Sequence, residues 1–318
     1  MSKQLAVGID VGGTNTKFGI VDKHGHILEQ GRMRTDDHEN AEDFIEELYG
    51  HLNLMMANHG GNEKFVGIGV GAPNGNYYSG TIEYAPNLKW KGIIPIAELM
   101  EKKFHLPTKL TNDANAAAVG EMTYGAAKGM KHFITITLGT GVGSGIVIDG
   151  KIVLGHDGFA GELGHTIIRP GGRLHKGTGI RGSLESYASA TGVRETAIEM
   201  LTDDPTTPSL LRNYSIDDLT SESVFKCAEQ GDAIANQIFE FTGQILGEAL
   251  ANFVMFSSPE AIVLFGGLTK AGDLILKPTV QAMEANLIQI FKNKVKVIYS
   301  ELQEADAAIL GARALAWE

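Results

Sequence analysis

The chain has 318 residues, of which 43% are hydrophobic and 20% charged, with a formal net charge of −11 and a single cysteine. The length predicts two domains of about 100–200 residues each, and no stretch approaches the ~18 unbroken apolar residues of a membrane span. The acidic balance excludes a broad nucleic-acid surface, which needs a basic face, although a few lysines and backbone amides can still hold a small anion.

Met1-Ser2-Lys3-Gln4 runs straight into Leu5-Ala6-Val7-Gly8-Ile9-Asp10, with no charged leader or cleavage site, so a cytoplasmic location is expected. One cysteine, Cys227, excludes an internal disulfide and a cysteine-based zinc site. It follows Phe225-Lys226 in a helical pattern and reads as a packed thiol.

In chain order, residues 5–28 give an apolar β-rich run, a glycine-dense turn, a second run ending Gly19-Ile20-Val21, and a turn at Lys23-His24-Gly25 into a third. Helices are predicted at Asn40 to Asn58, Ile96 to Phe104 and Asp113 to Tyr124. Residues 133–154 then repeat the first pattern, turning at Asp149-Gly150. Further helices are predicted at Val193 to Leu201, Asp232 to Phe256 and Asp306 to Trp317, with a surface excursion between Leu201 and Asp218. The strand Ala261-Ile262-Val263-Leu264-Phe265 ends in Gly266-Gly267 and leads towards another helix. A β-meander repeated at the head of each half predicts two α/β domains facing each other across a ligand cleft. The expected domains are 1–118 together with a C-terminal helix returning at 304–318, and 119–303.

Asp10-Val11-Gly12-Gly13-Thr14-Asn15-Thr16-Lys17 has the composition of a phosphate-binding hairpin. Glycines able to take positive φ expose amides, Lys17 adds a cation, and Asp10 can hold a water on Mg²⁺. A plain β-hairpin explains the same glycines equally well. The second copy, Leu138-Gly139-Thr140-Gly141-Val142-Gly143-Ser144-Gly145, has more glycine than a turn requires and favours phosphate. The nearest Walker-type match, Gly145 to Lys151, is followed by Ile152 instead of Ser or Thr. Gly266-Gly267 would let a third backbone segment approach a nucleotide, with the next helix N-terminus as its positive end.

Asp113 opens an alanine-rich helix. It reads either as an N-cap or as a general base, kept ionised because a helix N-terminus lowers its pKa. Glu162 and His165, three apart between glycines, suit neighbouring hydroxyls, and Glu185 could be a first-turn helix acid.

Taken together, these motifs resemble the ROK family of sugar kinases and related repressors, within the hexokinase–actin–Hsp70 ATPase superfamily. The likeness rests on D-x-G-G-T-N-x-K at Asp10 to Lys17, A-P-N-L-x-W at Ala85 to Trp90 and N-D-A-N-A-A-A at Asn112 to Ala118. It continues with L-G-T-G-V-G at Leu138 to Gly143, G-E-x-G-H at Gly161 to His165, L-E-S-Y-A-S at Leu184 to Ser189 and F-G-G at Phe265 to Gly267. The resemblance implies a two-domain actin-like ATPase (ribonuclease H-like) α/β fold with a duplicated β-meander and an interdomain cleft. It also implies ATP-dependent phosphorylation of a hexose at the 6-hydroxyl, in a homodimer that engages neither nucleic acid nor membrane. Glucose is the first expectation for the sugar, with N-acetylhexosamine, mannose or fructose as alternatives.

By the same resemblance Asp113 is the catalytic base, while Asn112, Glu162, His165 and Glu185 hold sugar hydroxyls. Asn74 and Gly75 approach the sugar, although Asn74 stands where glycine is usual. Gly12, Gly13, Thr14, Asn15, Lys17, Thr140, Gly141, Gly266 and Gly267 match the nucleotide-binding segments, with Asp10 near Mg²⁺. The relatives' zinc motif C-x-C-G-x-x-G-C-x-E reads here from Lys176 to Glu185 with Lys176, Thr178 and Ser183 in place of the cysteines, so no structural zinc is expected. The Arg169 to Ser183 loop is then expected to be mobile until sugar binds. A sugar-sensing regulator would need a DNA-binding extension ahead of a first strand that begins near Leu5. An actin- or Hsp70-like ATPase would have no use for the hydroxyl-binding cluster.

Overall fold

The computed structural model describes residues 4–302 and 304–316, with side chains at 304–308 left aside. Met1 to Lys3 of the leader reading and Trp317, the predicted end of the last helix, lie outside the described residues. The chain falls into two compact units, one of residues 1–131, 145–161 and 300–318, the other of 132–144 and 162–299.

The first unit opens with β1 (Leu5–Val11), β2 (Asn15–Asp22) and β3 (Ile27–Arg34), then α1 (Ala41–Asn58) and β4 (Phe65–Ala72). Short strands β5 (Gly75–Asn76), β6 (Thr81–Glu83) and β7 (Ile93–Ile94) precede α2 (Ile96–Phe104), β8 (Thr108–Asn112) and α3 (Asp113–Tyr124). Next come β9 (Phe133–Leu138), β10 (Val142–Ile148), through which the unit boundary passes, and β11 (Lys151–Ile152). The second unit continues with α4 (Glu185–Ala188), α5 (Ala190–Asp203), α6 (Ser221–Glu229), α7 (Ala233–Ser257), β12 (Ala261–Phe265), α8 (Asp273–Asn286) and β13 (Lys296–Tyr299). The chain then returns to the first unit as α9 (Glu304–Leu315).

The first sheet has the order β3-β2-β1-β4-β8, antiparallel from β3 to β1 and parallel from β1 to β8. Alternation along its strands decides what each face carries. Val7, Ile9 and Val11 of β1 and Ile68, Val70 and Ala72 of β4 join the core beneath α1 and α2. Gly8 and Gly69 lie on the opposite face, where added Cβ atoms would collide with the Ile309 and Ala312 carbonyls of α9. That face must be glycine-rich because a helix backbone lies directly on it.

The second sheet has the order β11-β10-β9-β12-β13, with β9, β12 and β13 parallel. Glycines again permit close packing: a Cβ at Gly243 of α7 would meet Pro278 of α8 at 2.5 Å. α5 begins at Ala190, ahead of the predicted Val193, because the Ser189 hydroxyl accepts the Gly192 N–H and caps it. Cys227 is buried in α6, and burial pushes its thiol pKa up, as suits a packed side chain. Among the described residues no helix is long and apolar enough to cross a membrane.

Candidate active site

In the first unit Asp10 and Lys17 are cross-strand partners flanking the Gly12-Gly13 turn. Neither glycine takes positive φ, contrary to the sequence expectation. Glycine is needed for close approach instead, since a Cβ at Gly12 would sit 2.7 Å from the Asn15 carbonyl and one at Gly13 2.7 Å from that of Asn87. The Thr14 carbonyl accepts the Thr35 N–H, and the Thr16 and Thr35 hydroxyls bond at 2.7 Å, which leaves Thr14 and Asn15 exposed at the tip.

Asp10 alternates onto the same face as Gly8, and its neighbour across β4 is Gly71. A Cβ at Gly71 would lie 3.0 Å from the Ala116 Cβ and 3.7 Å from the Asp113 Cα. The absent side chain lets the first turn of α3 settle beside Asp10. Burial, reinforced by the Asp113 charge and opposed by Lys17, raises the Asp10 pKa to about 6.

The N-cap of α3 is Asn112, whose Oδ1 accepts the Asn115 N–H at 2.7 Å. Asp113 is therefore the first helical residue and not the cap, with Oδ1 accepting the Ala114 N–H at 2.8 Å. The expectation that the helix end keeps its pKa low also fails. The side chain reaches solvent, yet protein crowds the carboxyl, and desolvation raises its pKa against the Ala114 N–H.

Asn74 and Gly75 stand beside this turn. A Cβ at Gly75 would collide with the Thr111 carbonyl at the end of β8. Asn74 has φ 51°, a left-handed conformation that asparagine tolerates better than most residues. Its Nδ2 donates to the Glu83 carbonyl at 2.9 Å while its own carbonyl accepts the Glu83 N–H.

In the second unit Thr140 and Gly141 follow β9, and Gly266-Gly267 follow its parallel neighbour β12. Both segments therefore leave the same edge of the sheet. Gly266 has φ 105°, and a Cβ there would lie 2.7 Å from the Leu138 carbonyl. The element after it is a 3₁₀ turn, Gly267–Ala271, and the helix towards which the strand leads, α8, follows from Asp273. The Thr191 hydroxyl donates to the Thr140 carbonyl and the Ala190 N–H to the Gly139 carbonyl, fixing the hairpin on the start of α5.

Glu162 precedes the 3₁₀ turn Leu163–His165, and its Oε2 lies 3.9 Å from the His165 Nε2. The His165 Nδ1 is buried without a hydrogen-bond partner among the described residues. Glu185 starts α4, and its Oε2 accepts the Val142 N–H at 2.7 Å while its Oε1 lies 2.8 Å from the His175 Nε2. A Cβ at Gly141 would collide with this carboxylate, so glycine there serves Glu185 as well as the hairpin. His175 escaped the sequence reading. The available signal was an imidazole inside the segment that lacks the cysteines.

A model of the ROK family matches residues 6–318. The chain belongs to the ROK family. This ROK chain is 37% identical to the glucokinase of Halalkalibacterium halodurans, over 90% of its own length and 87% of the relative's. It is 31% identical to the glucokinase of Thermotoga maritima, over 99% and 98%. A ROK family glucokinase from Streptomyces griseus, solved with glucose and AMPPNP, shares 32% identity with a TM-score of 0.81, over 98% of this chain and 99% of that one. The mixed α/β architecture is accordingly the actin-like ATPase fold of ROK kinases.

Within this ROK chain the segment carrying Lys176, Thr178 and Ser183 is tied by protein groups. Backbone bridges join Ile167 to Ser183 and Leu174 to Arg181. The Arg173 guanidinium donates to the Ser186 and Gly192 carbonyls at 2.7 and 3.1 Å and to the Glu199 carboxylate at 2.8 Å, and lies over the Tyr187 ring. The Arg173 N–H donates to the Tyr187 hydroxyl at 2.8 Å.

Proposed function

We propose that this chain is an ATP-dependent hexose kinase that transfers the γ-phosphate to the 6-hydroxyl of glucose, with Mg²⁺ as cofactor. The observation that carries the reading is the Asp113 carboxyl: one oxygen is held by its own helix turn, and desolvation makes the group a stronger proton acceptor than a solvated aspartate. The glucokinase names of two relatives at 37% and 31% identity, and the glucose and AMPPNP in the Streptomyces griseus structure, support the substrates.

In this reading Asp113 accepts the proton of the primary hydroxyl as its oxygen attacks the γ-phosphorus in line, and the bond to the β-phosphate oxygen breaks with ADP leaving. A positioned base of this kind contributes about 10²–10⁴ in rate. Asn112, Glu162, His165, Glu185 and the Asn74-Gly75 turn orient sugar hydroxyls. The first hairpin with Lys17, Thr140-Gly141 and Gly266-Gly267 receive the nucleotide.

Asp10 fits a Mg²⁺ ion through water, because Mg²⁺ keeps several waters and needs only one or two carboxylates beside the phosphates. The Asp10 carboxyl is raised by burial and by Asp113, so a nearby cation relieves an existing electrostatic cost. When bound, Mg²⁺ supplies positive charge against the transferring phosphoryl group.

A coupled ADP-release assay across glucose, mannose, fructose, N-acetylglucosamine and N-acetylmannosamine tests the proposal. The highest kcat/KM is expected with glucose. Preference for an N-acetylhexosamine would keep the kinase and change the acceptor, whereas ADP release that ignores every sugar would overturn the reading.

A further inference from the structure

A carboxylate orients a sugar hydroxyl only when its own plane is fixed, and two contacts fix Glu185. Its Oε2 accepts the Val142 N–H, so the first residue of β10 holds one end. Its Oε1 faces the His175 Nε2 at 2.8 Å, and the His175 and Glu185 side chains are only 23% and 15% exposed, which limits competition from water.

The network assigns the proton on the ring. The Thr178 N–H points at the His175 Nδ1 at 3.2 Å, and a backbone amide can only donate. The Thr178 hydroxyl accepts the Ile180 N–H at 3.3 Å and lies 2.9 Å from the same Nδ1, so it too is arranged to donate. Nδ1 is thus an acceptor, and Nε2 carries the hydrogen towards Glu185. The backbone locks the ring in place, with the His175 N–H donating to the Ile180 carbonyl and the His175 carbonyl accepting the Gly179 N–H, both at 2.8 Å.

We infer that His175 is a positioning residue for sugar recognition: its Nε2–H holds the Glu185 carboxylate in the orientation that receives hexose hydroxyls. The inference rests on the kinase reading for the identity of the ligand. With Oε1 and Oε2 each accepting one protein N–H, each oxygen keeps a further lone pair, and its direction is set before sugar arrives. Because Val142 immediately follows Thr140-Gly141, the carboxylate that meets the sugar is also anchored to the second glycine hairpin.

Steady-state kinetics on His175→Leu, His175→Gln, Glu185→Gln and the His175→Leu/Glu185→Gln pair test this. Loss of a charge-assisted hydrogen bond is expected to raise the sugar KM about tenfold or more in His175→Leu, while kcat and the ATP KM stay within about threefold. His175→Gln, which returns an N–H donor near the Nε2 position, should recover most of the loss. In the Glu185→Gln background His175→Leu should add nothing, because its effect passes through that carboxylate.

An unchanged sugar KM in His175→Leu would overturn the inference, as would an equal further loss in the Glu185→Gln background. Long-range ¹H–¹⁵N spectra of the imidazoles read the tautomer without turnover and without relying on the leucine variant folding. The expected result is Nε2–H for His175, with a resonance displaced in Glu185→Gln; an Nδ1–H tautomer sinks the proposal. If the wild type phosphorylates no hexose, the kinase reading fails separately, and the tautomer still decides whether His175 holds Glu185.

Discussion

Asp10 and Asp113 meet on one face of the first sheet because Gly71, the neighbour of Asp10 across β4, has no side chain to keep α3 away. Desolvation disfavours the charge of each, and the charge of Asp113 adds to the burial of Asp10. Two carboxyls so placed suit different tasks in phosphoryl transfer, one accepting a proton and one standing beside a hydrated cation.

Replacing Asp113 with asparagine keeps the shape and removes the proton acceptor. The expected outcome is a fall in kcat of about 10²–10⁴ with sugar affinity, measured by calorimetry, within about threefold of wild type. Turnover within tenfold of wild type would show that another group takes the proton.

The raised pKa of Asp10 has a definite sign in stability. An ordinary aspartate titrates near 3.8 and Asp10 near about 6, so the folded chain binds this proton more tightly than the unfolded chain does. The stabilisation is fully present below 3.8 and is lost as pH rises through about 6, which leaves a destabilising charge at pH 7–8. Asp10→Asn should therefore raise Tm by about 2–6 °C at pH 7.5 and change it little at pH 4, while Mg²⁺-dependent turnover drops. Thermal denaturation from pH 4 to 8 checks this, and a Tm difference independent of pH counts against it.

Much of the frame is legible in the sequence because it is written in local pattern. Ile96–Phe104, Asp113–Tyr124 and Ala261–Phe265 form the elements that their periodicity and punctuation predict. The site is legible only as far as residue type and order reach. That Asn112 and not Asp113 caps α3 depends on which side chain turns back, and both are good caps. The upward shift of Asp113 comes from desolvation by groups distant in sequence, which outweighs the helix end that the sequence displays. His175 and Arg173 act on partners ten or more residues away, and no spacing rule announces them.

Arg173 should prove more important to its segment than any single residue between 174 and 183. Its guanidinium bonds two carbonyls and a carboxylate, and its side chain is only 10% exposed. Arg173→Ala strands those acceptors and is expected to cost about 2–4 kcal/mol. Arg173→Lys should rescue little, because an ammonium cannot reproduce the planar fork. Hydrogen exchange should accelerate across 169–183 in both variants, and sugar should restore part of the protection. Wild-type exchange in Arg173→Ala would mean that the backbone bridges suffice.

Gly139 separates the structural and ligand-binding uses of glycine in the second hairpin. An added Cβ there would meet nothing within 4 Å, and the residue does not take positive φ, so neither packing nor backbone geometry demands glycine. A methyl group at this position matters only if a ligand comes close to the backbone. Gly139→Ala should therefore leave Tm within about 2 °C of wild type and the sugar KM unchanged, while raising the ATP KM about tenfold, a loss of about 1.4 kcal/mol. Gly141→Ala is the contrasting control: its Cβ would strike the Glu185 carboxylate, so both the sugar KM and Tm should worsen. An unchanged ATP KM in Gly139→Ala would remove this hairpin from the nucleotide site and leave its glycines to the turn alone.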